Sequence, residues 1–135
     1  MSTHLNGFHH LAMRVKDFNA SVKFYTEGLG LRETIAWGEG DGRAMMLDAG
    51  NGNCVELFAG GAREPKPEGI VLHFAFRTDD CDGVLARAVA AGAVVTMEPK
   101  SLTIPSTPTP LPVRIAFCTG PDGEIIEFFQ NEQVT

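Results

Sequence analysis

One internal repeat constrains what this chain can fold into. His10-Leu-Ala-Met-Arg14-Val-Lys-Asp17 returns 63 positions on as His73-Phe-Ala-Phe-Arg77-Thr-Asp-Asp80, with the His, Ala, Arg and Asp in register. Asn51-Gly-Asn-Cys-Val-Glu56-Leu-Phe58 returns 71 positions on as Asp122-Gly-Glu-Ile-Ile-Glu127-Phe-Phe129, so Gly52, Glu56 and Phe58 answer to Gly123, Glu127 and Phe129. A fold that accommodates both copies is built twice from one plan. Each half opens on a strand with a histidine and closes on a strand with a glutamate.

Hydrophobic alternation supplies the plan. Along 8–15, His10, Ala12 and Arg14 share one face of a strand, and Leu11, Met13 and Val15 share the face turned to a core. Asp17 suits the N-cap of a helix in which Phe18, Val22, Tyr25 and Leu29 recur at helical spacing before Gly28 or Gly30. Strands follow near 33–37, 43–48 and 54–58, separated by the loop 38–42 and the turn 50–52. This order is βαβββ. The second half repeats it, with a strand at 71–78, an N-cap at Asp80 or Asp82, a helix burying Val84, Leu85, Ala88 and Val89, and strands near 94–98, 113–118 and 124–130. Its His-to-Glu spacing exceeds that of the first half by eight residues (54 against 46), an excess assigned to 102–112, where Pro105, Pro108, Pro110 and Pro112 argue against regular structure. The expected fold class is α+β. Two βαβββ modules, 7–59 and 70–131, joined by a linker at 60–69, make one domain over 1–135.

The four repeated acid and imidazole side chains are the candidate site. Parity places His10 and His73 opposite the core residues of their strands, and sets Glu56 and Glu127 opposite Val55 and Leu57 or Ile126 and Phe128. Two imidazoles and two carboxylates suit one divalent ion among Ni, Zn, Co, Mn and Fe, with room left for substrate oxygens. His9 is set aside because parity sends it toward the core, and His4 because it lies near the terminus. Arg14 and Arg77 share the histidine face and are expected to hold a substrate carboxylate or phosphate. Cys54 and Cys118 are also placed toward the cleft, with no arrangement that would activate a thiolate.

Composition excludes several alternatives. A 44% hydrophobic and 21% charged chain of 135 residues reads as an ordinary globular protein. A net charge of −6 with no basic cluster argues against nucleic acid as a partner. No apolar run reaches a membrane span, and 1–7 lacks the pattern of a secretory leader. Three cysteines without paired spacing fit a reducing, cytoplasmic setting.

The opening HHLAMRVKDFNASVKFYTEGLGL, the mid-chain VELF, a second LHFAFRTDD and the closing GPDGEIIEFF together resemble the vicinal oxygen chelate superfamily over nearly the whole chain. The resemblance implies a curved half-barrel sheet around a concave metal-binding cleft. Within that superfamily the set His10, Glu56, His73 and Glu127 is similar to that of bacterial glyoxalase I, where Arg14 matches an arginine that contacts glutathione. It implies a metal-dependent isomerase or lyase. In that reading an enediolate of an α-hydroxycarbonyl, such as a thiol hemithioacetal, forms at the metal, and Glu127 or Glu56 moves the proton. It also implies a homodimer in which the first module of one chain meets the second of its partner. Acyl-thioester epimerisation, or binding of a drug or metabolite without chemistry, are the other activities found among such proteins. Two departures weaken the match to a glutathione adduct as substrate. Ala59-Gly-Gly-Ala stands where glyoxalase I commonly has an asparagine, and 102–112 is longer and richer in proline.

Overall fold

The computed structural model describes residues 8–61, 71–106 and 108–131. The chain divides into two compact units, Met1–Glu64 and Pro65–Thr135. The first contains β1 (His10–Arg14), α1 (Phe18–Lys23), β2 (Arg32–Trp37), β3 (Ala44–Asp48) and β4 (Cys54–Phe58). The second contains β5 (Phe74–Arg77), α2 (Cys81–Ala90), β6 (Val94–Ile104), β7 (Leu111–Thr119) and β8 (Ile125–Gln130). Each unit is βαβββ, as the repeat requires. Apart from Gly60 and Gly61, the expected linker lies outside the described residues, as does His4. Among the described residues no helix is long and apolar enough to cross a membrane.

The strand order is the same in both sheets, β1-β4-β3-β2 and β5-β8-β7-β6. The first strand of each unit therefore lies parallel to the last, and the other two neighbour pairs are antiparallel. The helix and the two middle strands together carry the chain back so that the last strand lands beside the first. One face of each sheet carries the helix: α1 packs on β4, and α2 packs on β6, β7 and β8. Val15, Phe18, Phe24, Tyr25, Leu47, Val55 and Leu57 are buried in the first unit, and Leu85, Ala88, Ala116, Cys118, Ile126 and Phe128 in the second.

Local chemistry explains the helix starts. The Asp17 carboxylate accepts from the Ala20 N–H, and that of Asp80 from the Gly83 N–H, each satisfying a donor that the first turn leaves open. The end of α1 departs from the expected spacing. Residues Phe24–Gly28 form a π-helical turn in which Leu29 N–H donates to the Phe24 carbonyl five residues back. The wider turn buries Phe24 and Tyr25 side by side and leaves Val22 and Leu29 only half-buried. In α2, Val89 is exposed rather than buried, because the helix presents Cys81, Leu85 and Ala88 to the sheet.

The proline-rich stretch also differs from expectation. β6 and β7 continue through it, pairing Leu102 with Val113, Thr103 with Pro112 and Ile104 with Leu111. β7 meets β8 only from Arg114 onward, so at Pro112 one side of the strand is free of β8. An open side is where a residue without an N–H is tolerated in a sheet. The eight extra residues thus lengthen a hairpin. β5, by contrast, is shorter than its apolar run, and Val71 and Leu72 precede it exposed.

Candidate metal and proton-transfer site

In both units the repeat produces the same constellation. His10 stands opposite Cys54 in the β1–β4 ladder, and Ala12 stands opposite Glu56. In the second, Ala75 stands opposite Glu127, and His73 precedes it by the same two residues. Residues two apart in extended chain share a face, so His10 on β1 and His73 just ahead of β5 each approach the glutamate of the neighbouring strand. Nε2 of His10 lies 3.4 Å from Oε1 of Glu56, and Nε2 of His73 lies 3.1 Å from Oε1 of Glu127. The glutamate side chains are 9% and 11% exposed, whereas both imidazole side chains are 40% exposed. A shielded carboxylate thus meets an imidazole still open to an incoming partner.

These separations fit a shared metal. Ligands at about 2.1 Å from one ion lie roughly 3.0 Å apart at an octahedral right angle and about 3.4 Å apart at a tetrahedral angle. Each pair therefore has the spacing of one edge of such a shell. A buried carboxylate with a single imidazole also gains from a cation that compensates its charge. Among the described residues neither unit gathers three or more His, Cys, Asp or Glu side chains into a metal-binding group. One pair is half of the four-donor set read from the sequence.

The turns before the ligand strands explain the repeated glycines. Gly52 and Gly123 have φ of +77° and +80°, a left-handed conformation that side chains resist, just ahead of Glu56 and Glu127. Next to the glutamates the two units diverge. Glu56 is flanked on β3 by Met46, and Glu127 on β7 by Phe117, whose ring stands edge-on to His73 at 5.3 Å between centroids.

The arginines, alike in sequence, are used differently. Arg14 donates from Nη1 to the Ala59 carbonyl at 2.8 Å and lies over the Phe58 ring, 5.5 Å from its centroid. Part of its guanidinium braces the end of β4. Arg77 is exposed beside Phe129 and, among the described residues, forms no ion pair. Two sequence placements change. His9 is exposed, not directed to the core, and its Nδ1 sits 3.0 Å from Nδ1 of His10. Cys118 pairs with Ile126 on the core face, where burial pushes its thiol up to about 11. Burial also raises Cys54, which shares the His10 face, and Cys81. None of the three is a ready nucleophile.

Comparison with known proteins agrees with this fold. The model of the Glyoxalase/Bleomycin resistance protein/Dioxygenase superfamily matches residues 7–128. The chain is 35% identical over 126 residues to the uncharacterized protein YwbC of Bacillus subtilis, covering 90% of this chain and 95% of that one. It is 30% identical over 131 residues to a probable lactoylglutathione lyase of Vibrio cholerae, covering 92% and 90%. Its fold is that of TnmS3, an antibiotic binding protein from Streptomyces sp. CB03234, with a TM-score of 0.71, 24% identity and coverage of 97% and 100%. A match over nearly the full length, on a chain whose two βαβββ units each hold the same His–Glu pair, makes this protein a member of the Glyoxalase/Bleomycin resistance protein/Dioxygenase superfamily.

Proposed function

We propose that the protein is a metal-dependent lyase or isomerase of glyoxalase type built as a single two-module domain, and that His10, Glu56, His73 and Glu127 are the four donor types of its one-ion site. The observation that carries this is the duplicated approach of an imidazole Nε2 to a buried carboxylate Oε1 at 3.1–3.4 Å. When bound, the ion supplies Lewis acidity to adjacent substrate oxygens, which makes the neighbouring C–H easier to deprotonate. The chain's own part is proton transfer. Glu127 takes the proton from the carbon bearing the hydroxyl and the thioether sulfur and returns it to the adjacent former carbonyl carbon, while the hydroxyl proton passes to the former carbonyl oxygen, so no other reactant is needed. Glu56 is the second carboxylate able to serve. Arg77 holds an anionic group of the substrate, and Arg14 assists with the guanidinium donors not used at Ala59.

The four donors come in pairs, one per module. We place them in a homodimer whose sites join the first module of one chain to the second of its partner, since isologous pairing is the commonest assembly. Sedimentation of the metal-loaded protein should give the mass of two chains, and a fully loaded monomer would refute the shared site.

The function itself is tested by metal analysis of protein purified without chelator, followed by a hemithioacetal isomerisation assay. About one divalent ion per chain and metal-dependent conversion are expected. Metal and substrate binding without conversion would make the protein a binding module. Absence of metal, with no uptake on reconstitution, would end the proposal.

A further inference from the structure

In the first unit, the face that carries His10 and Glu56 continues outward into two apolar side chains left uncovered. Ile35 pairs with Met46, which pairs with Glu56, and Trp37 pairs with Ala44, which pairs with Phe58. Cross-strand partners lie on one face, so Ile35 and Trp37 belong to the same surface as the metal pair. Trp37 is 44% exposed and Ile35 58% exposed. Met46 and Ala44, which lie between them and β4, are buried. The Trp37 indole meets the Phe58 ring edge-on, 6.4 Å between centroids. Toward its other end the face is polar, with Cys54, then Asp48 held by Arg32 at 2.9 Å.

This arrangement is not what strict alternation along β2 would produce. Arg32 pairs with Asp48, so with unbroken register Thr34 would stand opposite Met46 and Ile35 would turn away. The ladder instead shifts between Glu33 and Ile35, and the Thr34 hydroxyl donates to the Met46 carbonyl at 3.0 Å. This one-residue bulge turns Ile35 and Trp37 onto the ligand face. Bulges that re-aim side chains beside a functional site are a recurrent device. Here the bulge leaves two large apolar groups about half exposed, with much of their surface outside the core.

We infer that the substrate carries an aromatic ring next to its paired oxygens, and that Ile35 and Trp37 select it. The inference rests on His10 and Glu56 being metal ligands. Adjacent strands lie about 4.8 Å apart, so β2 stands roughly 10 Å from β4. An aryl group one bond beyond a chelating carbonyl spans much of that distance, and side chains reaching over from β2 close the rest. A charged tripeptide adduct would instead set polar groups against this apolar shelf.

Two inert chelators separate this inference from the one beneath it. Benzohydroxamate and acetohydroxamate present the same vicinal oxygens and differ only in phenyl against methyl. Binding to the metal-loaded protein is read by calorimetry and by emission of Trp37, the only tryptophan of the chain. Benzohydroxamate should bind at least about tenfold tighter and change Trp37 emission, as burial of the ring's extra apolar surface requires. In Trp37→Ala and Ile35→Ser the preference should fall to within about threefold, with acetohydroxamate affinity unchanged. Equal affinity of the two chelators for the native protein, or a preference that survives both substitutions, overturns the aromatic substrate. If neither chelator binds, the metal site itself fails, and this inference with it.

Discussion

Truncating His73 to alanine tests the shared ion through stability, without reference to any substrate. A ligand present at 100 times its dissociation constant stabilises the folded state by about 2.7 kcal/mol. A chain of 135 residues has an unfolding entropy near 0.28 kcal/mol per kelvin at the transition, so the metal should raise the melting temperature by about 10 °C. Losing one of four ligands weakens binding by at least about 100-fold, since even outer partners of a ligand are worth 10–100-fold. At the same metal concentration the variant then sits near its own dissociation constant, where stabilisation is about 0.4 kcal/mol and the shift under 2 °C. The metal-free baseline should move little, because the His73 side chain is 40% exposed and fills no core space. The assay is calorimetric melting of chelator-treated protein with and without added metal, each variant compared with its own baseline. His10→Ala should lose the shift equally, since the two pairs have the same geometry. A His73→Ala protein that keeps the full shift would refute the coordination role, however its activity behaves.

Glu127→Gln keeps shape and a ligating oxygen but removes the proton acceptor, so it should retain metal while turnover falls by roughly 10² to 10⁴. Glu56→Gln is the control and should stay more active; the opposite order would make Glu56 the base. Cys118 gives a pH-dependent prediction. Its folded-state value of about 11 lies above the ordinary thiol value of 9.0, so folding favours the neutral thiol. That contribution is whole below about pH 9 and is lost as the pH rises toward 11, a loss on the order of 3 kcal/mol. Urea unfolding of the native chain and Cys118→Ala should diverge in pH slope across that window, and parallel slopes would contradict the burial argument.

Much of this molecule was legible in its letters because a duplicated plan is read twice. The period-two alternation around His10 and His73 put each histidine on the face of its glutamate, and the register of β1 on β4 and β5 on β8 repeats the sequence offset between histidine and glutamate. Asp17 marked one helix start and the pair Asp80 or Asp82 the other, of which the structure uses Asp80, because an unpaired N–H needs a local acceptor and a local need is visible in local sequence. Gly52 and Gly123 were legible for a similar reason.

What only the tertiary structure decided depends on neighbours distant in sequence. The π-helical turn at Phe24–Gly28 buries two adjacent aromatics, Phe24 and Tyr25, an arrangement that helical spacing alone does not register. The prolines of 102–112 entered a hairpin because β8 ends before it reaches them. Arg14 and Arg77 are identical in the repeat, yet one is engaged by the Ala59 carbonyl and the other is not. Ile35 and Trp37 reach the face of His10 and Glu56 through a shift in strand register at Thr34. Sequence determines which side chains alternate along each strand. The pairing of one strand with the next determines which surface that alternation presents, because a one-residue slip exchanges every face.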